Sequence, residues 1–357
     1  MSSASTASSA PSTSSAPSTS SGSSASPDPA ARPVLSVRDL RVEYHTDTGV
    51  VRAVNGISFD LMPGERMGLV GESGSGKSTV ALALMRMIRR PGRIAGGQLV
   101  LDGTDLVPLP ERAMRARRAR EIAMIPQGAM NSLNPVARIE DQIIDTLEDH
   151  SGGRTSKREL LGRAREALES VGLRREVGRM YPHELSGGMK QRACIAIAVA
   201  MRPKVVIADE PTSALDVVVQ RQVMDTIVRL QEELHVAVIL IGHDMGLMAQ
   251  SVDRLAVMYA GKLAELSPIR DIFAEPLHPY TNLLIESLPK LEDRGTFRGI
   301  PGLPPSLKSL PPGCLFHPRC PRVMDVCRTT VPAYREHRPN QFAACHLHEE
   351  RHGEADH

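Results

Sequence analysis

The sequence predicts an α/β fold whose sheet carries a phosphate-binding loop and is preceded by an antiparallel β layer. Three observations predict it. Gly71 to Thr79 reads Gly-Glu-Ser-Gly-Ser-Gly-Lys-Ser-Thr and fits G-x-x-x-x-G-K-[ST]. The runs Arg66 to Val70, Val205 to Ala208 and Val236 to Ile241 are short and, Arg66 apart, apolar throughout, as strands buried on both faces should be. Helical segments follow these runs, and two carboxylates, Asp209 and Glu210, stand where the second run ends.

The loop chemistry dictates its residues. Gly71, Gly74 and Gly76 let the backbone form a concave nest of N–H groups. Lys77 supplies positive charge for terminal phosphates, and the Ser78 hydroxyl can hold Mg²⁺. A helix opening at Ser78 places the anion at a positive helix end.

In chain order, residues 1–33 come first, almost wholly Ser, Ala, Thr and Pro up to residue 27 and without a charged side chain there. Such a stretch cannot offset its chain entropy by burial and is expected to be disordered. It lacks the basic and apolar regions of a secretion signal, so the expected compartment is the cytoplasm. Leu35 to Tyr44 and Val51 to Leu61 alternate with period two and read as strands joined by a polar turn at Thr46 to Gly49. Tyr44 ends the first; a lone aromatic there is either ordinary packing or a face for adenine. A strand at Gly97 to Leu101, a basic helix at Glu111 to Arg120 and a strand at Glu121 to Ile125 follow. Arg112, Arg115, Arg117, Arg118 and Arg120 read as a solvated helix face. Gln127 lies just past a strand's C-terminal edge, where α/β folds bind ligands.

Residues from about 130 to 188 read as a helical insert, clearest from Lys157 to Leu168. Leu185 to Met189 then precedes a helix from Lys190 to Met201. The strand after it delivers Asp209, placed for Mg²⁺, and Glu210, placed as general base for an attacking water. Ser213 to Asp216, a helix to about Leu234, the strand from Val236 and then Gly242-His243-Asp244 complete the core. Two short strands and helices reach about Leu288; residues 293–357 are rich in Pro, Cys and His with little periodicity. Net charge is +2, so no strong field points to nucleic acid or acidic lipid. No apolar run approaches the roughly 18–20 residues a membrane span needs.

With these residues in view, the chain resembles the ATP-binding subunit of an ABC transporter. Leu185-Ser-Gly-Gly-Met189 resembles the family signature, Gln127 its Q-loop, Ser213 to Asp216 its D-loop and His243 its switch histidine. Asn131 to Pro135, Tyr181 to Glu184, Met189 and His278-Pro-Tyr-Thr281 look like the dipeptide/oligopeptide (and nickel) importer branch. The resemblance implies an ABC cassette over residues 34–290 and an importer-type C-terminal extension over 291–357. It implies ATP contacts from Tyr44, now an adenine-stacking residue, from Gly71, Ser73, Gly74, Gly76, Lys77, Ser78 and Thr79, and from Ser186, Gly187, Gly188 and Asp216. Glu210, Gln127 and His243 would be catalytic; Ser78, Gln127 and Asp209 would hold Mg²⁺. The implied machine pairs this chain head to tail with a second, related ATPase. It adds two permease subunits, an extracytoplasmic binding protein and no nucleic acid, with the ATPases on the cytoplasmic face of the membrane. Peptide, nickel chelate and other solutes stay open as cargo. A soluble ABC ATPase outside transport is a third reading, disfavoured because the chain has neither a second cassette nor a long coiled-coil insert.

Cys314, Cys320, Cys327 and Cys345 cluster near the C-terminus, while Cys194 lies alone in the helix after the signature. Clustered thiols in a reducing compartment argue for metal. The paired C-x₂₋₄-C of zinc sites is missing. Four thiolates suit a [4Fe–4S] cluster, which some members of the resembled branch carry; zinc with His317 or His346, and no metal, stay as alternatives.

Overall fold

The computed structural model describes residues 32–151, 155–288 and 299–349. The expected disordered tail, apart from its last two residues, and the expected boundary at 290/291 lie outside them.

The strands are β1 (Leu35–Thr46), β2 (Gly49–Leu61), β3 (Arg66–Val70), β4 (Gly92–Leu101), β5 (Thr104–Asp105), β6 (Ile122–Ile125), β7 (Val205–Asp209), β8 (Ala237–Ile241), β9 (Arg254–Tyr259), β10 (Lys262–Pro268), β11 (Arg335–Arg338) and β12 (Gln341–Ala343). The helices are α1 (Lys77–Leu84), α2 (Glu111–Arg117), α3 (Ile139–Ser151), α4 (Lys157–Ser170), α5 (Gly187–Val199), α6 (Val217–Leu234), α7 (Met245–Ser251), α8 (Ile269–Ala274), α9 (Pro279–Glu286) and α10 (Asp325–Thr329). None is long and apolar enough, among the described residues, to cross a membrane.

Two sheets carry the fold. One has the order β2-β1-β4-β5 and antiparallel pairing; the other runs β11-β12-β10-β9-β3-β8-β7-β6. In the second, β3 pairs in parallel with both β8 and β9, and β7 in parallel with β6 and β8. The central strands are apolar on both faces because both faces are covered: β7 and β8 are buried at every residue. Met67, Leu69, Ile207, Ile239 and Ile241 pack toward the antiparallel sheet and α1. Val70, Val206, Ala208, Val238 and Leu240 pack on the other side against the α3–α6 layer. Each buried Val, Leu, Ile or Met side chain there contributes on the order of 1.5–3 kcal/mol.

This parallel core brings the C-terminal ends of β3, β6, β7 and β8 to one edge, the place where such sheets bind ligands. The helical insert is α3 and α4 with short turns after them. Ser156 caps α4, its hydroxyl accepting from Glu159 N–H at 3.3 Å.

Two expectations need correction. Helix α5 starts at Gly187, three residues before Lys190, because Ser186 caps it through Met189 N–H at 3.3 Å. The arginine cluster is also not all solvated. Arg118 donates to the carbonyls of Met85 at 2.9 Å and Arg86 at 3.1 Å and pairs with Glu111, while Arg117 pairs with Glu121. These two fasten α2 to neighbouring segments; Arg112, Arg115 and Arg120 are exposed.

Residues 299–349 are not loose. The β11–β12 hairpin extends the large sheet through Glu265↔Ala343 and Leu266↔Phe342. His278-Pro-Tyr-Thr281 starts α9, with His278 Nδ1 accepting from Tyr280 N–H at 3.0 Å. Burial holds the His278 imidazole neutral, its pKa lowered to about 4.

Candidate nucleotide site

Strand β3 ends at Val70, and the loop turns at once. Gly71 has φ of 150°, and a Cβ there would lie 2.2 Å from the Met258 carbonyl oxygen. A Cβ on Gly76, φ of 105°, would meet the Ala53 oxygen at 2.3 Å. Backbone approaches this close admit only glycine. Lys77 Nζ donates to Gly71 O at 2.7 Å and to Glu72 O at 3.0 Å. Burial lowers its pKa, while Glu210, Asp209 and Glu72 oppose that shift. Ser75 Oγ is buried without a partner among the described residues. An unpaired hydroxyl and an ammonium held only by carbonyls are groups that a phosphate would satisfy. The loop therefore fits a nucleotide phosphate.

The carboxylates arrive from β7, which β8 separates from β3. Ser78 Oγ donates to Asp209 Oδ1 at 3.2 Å, a juxtaposition that fits a shared cation, and burial raises the Asp209 pKa. Glu210 follows at φ of 48°. Its N–H donates to Ile241 O at 2.9 Å, which locks this strained turn to β8. The turn aims the carboxylate at two partners. Gln127 Nε2 donates to Glu210 Oε2 at 2.8 Å, and His243 Nδ1 stands 3.8 Å from Glu210 Oε1. Gln127, Glu210 and His243 come from the ends of β6, β7 and β8, so sheet order alone assembles them.

The remaining expected residues are placed as follows. Tyr44 is half-buried at the end of β1, close against Gly92, where an added Cβ would sit 2.6 Å from Tyr44 Cε1. Ser73 and Gly74 lie in the loop; Thr79 follows Ser78 in the first turn of α1. Ser186, Gly187 and Gly188 form the N-terminus of α5. Asp216 caps α6, its Oδ1 accepting from Val218 N–H at 3.1 Å and Val219 N–H at 3.0 Å. Tyr44→Ala is expected to raise the KM for ATP by about tenfold with a smaller loss in kcat, since a stacked base is worth roughly 1–3 kcal/mol. An unchanged KM in steady-state ATPase kinetics would return Tyr44 to a packing role.

Cys194 is a core residue, as expected: it is buried, its thiol donates to Ala129 O at 3.2 Å, and burial pushes its pKa to about 12. The other four cysteines are free and partly or wholly buried. Cys314 N–H donates to Cys327 O at 2.9 Å, and Cys345 lies within electrostatic reach of Cys314, Cys320 and Cys327. Burial pushes its thiol up to about 12. Among the described residues, no three His, Cys, Asp or Glu side chains are arranged to hold a metal ion as they stand.

Sequence reasoning missed Arg319, which reaches the phosphate loop and donates to Glu72 at 2.6 and 2.9 Å. No spacing rule points to it, because Glu72 occupies a free position of the motif.

A parallel core with a glycine loop after β3, two carboxylates at the end of β7 and Gln and His at the ends of the strands flanking β7 defines a phosphate-loop ATPase. Known proteins specify it further. Residues 54–213 match the ABC transporter family model and residues 264–327 the oligopeptide/dipeptide transporter C-terminal region. The oligopeptide transport ATP-binding protein OppD of Salmonella typhimurium is 45% identical over 315 residues, covering 87% of this chain and 93% of that one. The dipeptide transport ATP-binding protein DppD of Haemophilus influenzae is 42% identical over 316 residues, covering 88% and 95%. The solved dimer of MJ0796, a bacterial ABC transporter cassette, superposes with a TM-score of 0.60 at 25% identity, covering 66% of this chain and 99% of that one. The chain belongs to the ABC transporter ATP-binding proteins, in the oligopeptide/dipeptide importer family.

Proposed function

We propose that this chain hydrolyses ATP to power import of di- and oligopeptides. The observation that carries the ATPase reading is the meeting of Gln127, Glu210 and His243 beside Lys77 and Asp209. The peptide cargo is supported by the named activities of the relatives. Lys77 and the loop N–H groups from Gly74 to Thr79 bind the phosphates, with Ser73 beside them and Tyr44 stacking on adenine. Glu210 takes a proton from water as the water oxygen attacks the γ-phosphorus and the bond to the ADP oxygen breaks; Gln127 and His243 orient Glu210 and that water. Ser78, Asp209 and Gln127 would hold Mg²⁺, which neutralises phosphate charge when bound.

Ser186, Gly187 and Gly188 sit at a second helix N-terminus, an anion site of its own. We assign it, with Asp216, whose neighbour Leu215 lies against Gly187, to the ATP held by a second, related ATPase subunit, so that two nucleotides join two subunits head to tail. Two permeases and an extracytoplasmic binding protein complete the importer, and this chain docks on the cytoplasmic side. Labelled tripeptide uptake should vanish in cells lacking the chain and return with the wild-type protein, not with Glu210→Gln. Uptake that survives the deletion would refute the peptide assignment.

The four thiols do not converge on one point as they stand, but they are the donor set of an all-sulfur cluster, and Cys314, Cys320, Cys327 and Cys345 would hold [4Fe–4S], tying the loop-rich segment together. Anaerobically purified protein is expected to be brown with about four irons, lost in Cys320→Ser. Zinc or no metal in elemental analysis would overturn this.

A further inference from the structure

Glu72, the second residue of the phosphate loop, is gripped from both ends by the C-terminal part of the chain. Its N–H donates to Tyr280 Oη at 3.0 Å. Its carboxylate accepts Arg319 Nη1 at 2.6 Å and Nη2 at 2.9 Å, the two-pronged geometry that guanidinium offers and ammonium does not. The Arg319 side chain is only 4% exposed. Its other contacts are filled as well: Nε donates to Pro301 O at 2.8 Å, Nη1 also to Tyr259 Oη at 3.3 Å, and Nη2 to Ile300 O at 3.4 Å. Tyr259, Tyr280 and Phe316 pack together nearby, with ring centroids 4.7–5.3 Å apart.

The grip bears on the phosphate site because Glu72 also gives its carbonyl oxygen to Lys77 Nζ at 3.0 Å. Moving Glu72 moves the loop and the lysine together. The same C-terminal segment walls a cavity of 330 Å³ whose facing side is Val51 and the loop from Glu72 to Ser75. Lys308 spans to the β1–β2 turn, donating to Thr48 Oγ1 at 2.7 Å.

We propose that Arg319 is a positioning residue for ATP binding: through Glu72 it fixes the loop shape that receives phosphate, which makes the C-terminal segment a part of the nucleotide site. The proposal rests on the ATP-site reading above. A loop already held by a half-buried, bidentate ion pair forfeits little ordering entropy when phosphate arrives; a freed loop forfeits more, and affinity falls.

The test is equilibrium ATP titration and steady-state ATPase kinetics on the full-length chain and its variants. Arg319→Ala should raise both the Kd and the KM for ATP by about tenfold, as truncating the buried member of a close charge pair does, while kcat changes by less than about threefold. Arg319→Lys should fall between, because it keeps charge and loses the fork. Glu72→Ala/Arg319→Ala should be no worse than Arg319→Ala, since the two residues act as a unit. If Arg319→Ala fails to fold, Glu72→Gln decides alone by the same shift in Kd. Wild-type affinity in either single variant, or a double variant whose losses add, would overturn the proposal. A wild-type chain that binds no ATP would instead sink the ATPase reading.

Discussion

Glu210→Gln is expected to lower ATPase kcat by about 10²–10⁴-fold, the usual worth of a general base, while ATP and the second subunit still bind. Glutamine preserves the shape of the side chain and can still accept from Gln127 Nε2, which lies 2.8 Å from Glu210 Oε2. The backbone should not move, because the 48° φ at this position is held by the N–H bond to Ile241 O. What disappears is the proton acceptor, together with one negative charge near the γ-phosphate. Binding should therefore tighten as turnover stops, and the ATP-bound dimer should accumulate. Single-turnover phosphate release and gel filtration with ATP measure the two effects separately. Turnover within about threefold of wild type would remove Glu210 as the base.

The readable parts of the sequence were those governed by local rules. Val205 to Ala208 and Val236 to Ile241 announce buried strands because a doubly covered strand has no polar face to show. The loop announces itself because its glycines answer to nearby backbone, as Gly71 does to Met258. Long-range pairing leaves no such trace. Arg118 looks like part of a solvated face until folding supplies the carbonyls of Met85 and Arg86, 33 and 32 positions away. The β11–β12 hairpin is short and its first strand, Arg-Glu-His-Arg, is polar throughout, so period-two patterning cannot reveal it. Arg319 and Glu72 lie 247 positions apart, and each looks like an ordinary surface charge until the C-terminal segment folds back over the loop. The group assigned to catalysis lies between these cases. Gln127, Glu210 and His243 could each be placed at a strand end from the sequence, but only the order β8-β7-β6 makes them neighbours.

Gly71→Ala is expected to weaken ATP binding by about 100-fold or more and to lower the melting temperature, because a left-handed backbone alone costs a side chain on the order of 1–3 kcal/mol. The steric part comes on top. The new Cβ would lie 2.2 Å from Met258 O and 2.9 Å from Ser75 Oγ. Ser75 can rotate, whereas Met258 belongs to β9, whose neighbours Arg254 to Val257 pair with β3. The sheet is the stiffer partner, so the loop must yield. When it does, Gly71 O leaves Lys77 Nζ, now 2.7 Å away, and the lysine loses its orientation toward the phosphates. Gly74 provides the internal control. Its φ is 77°, yet a Cβ there would meet nothing within 4 Å. Gly74→Ala should carry only the backbone cost and remain several times the better ATP binder in a nucleotide titration. Equal losses at the two positions would mean that left-handed geometry alone, and not the approach of the Met258 carbonyl, demands glycine at the end of β3.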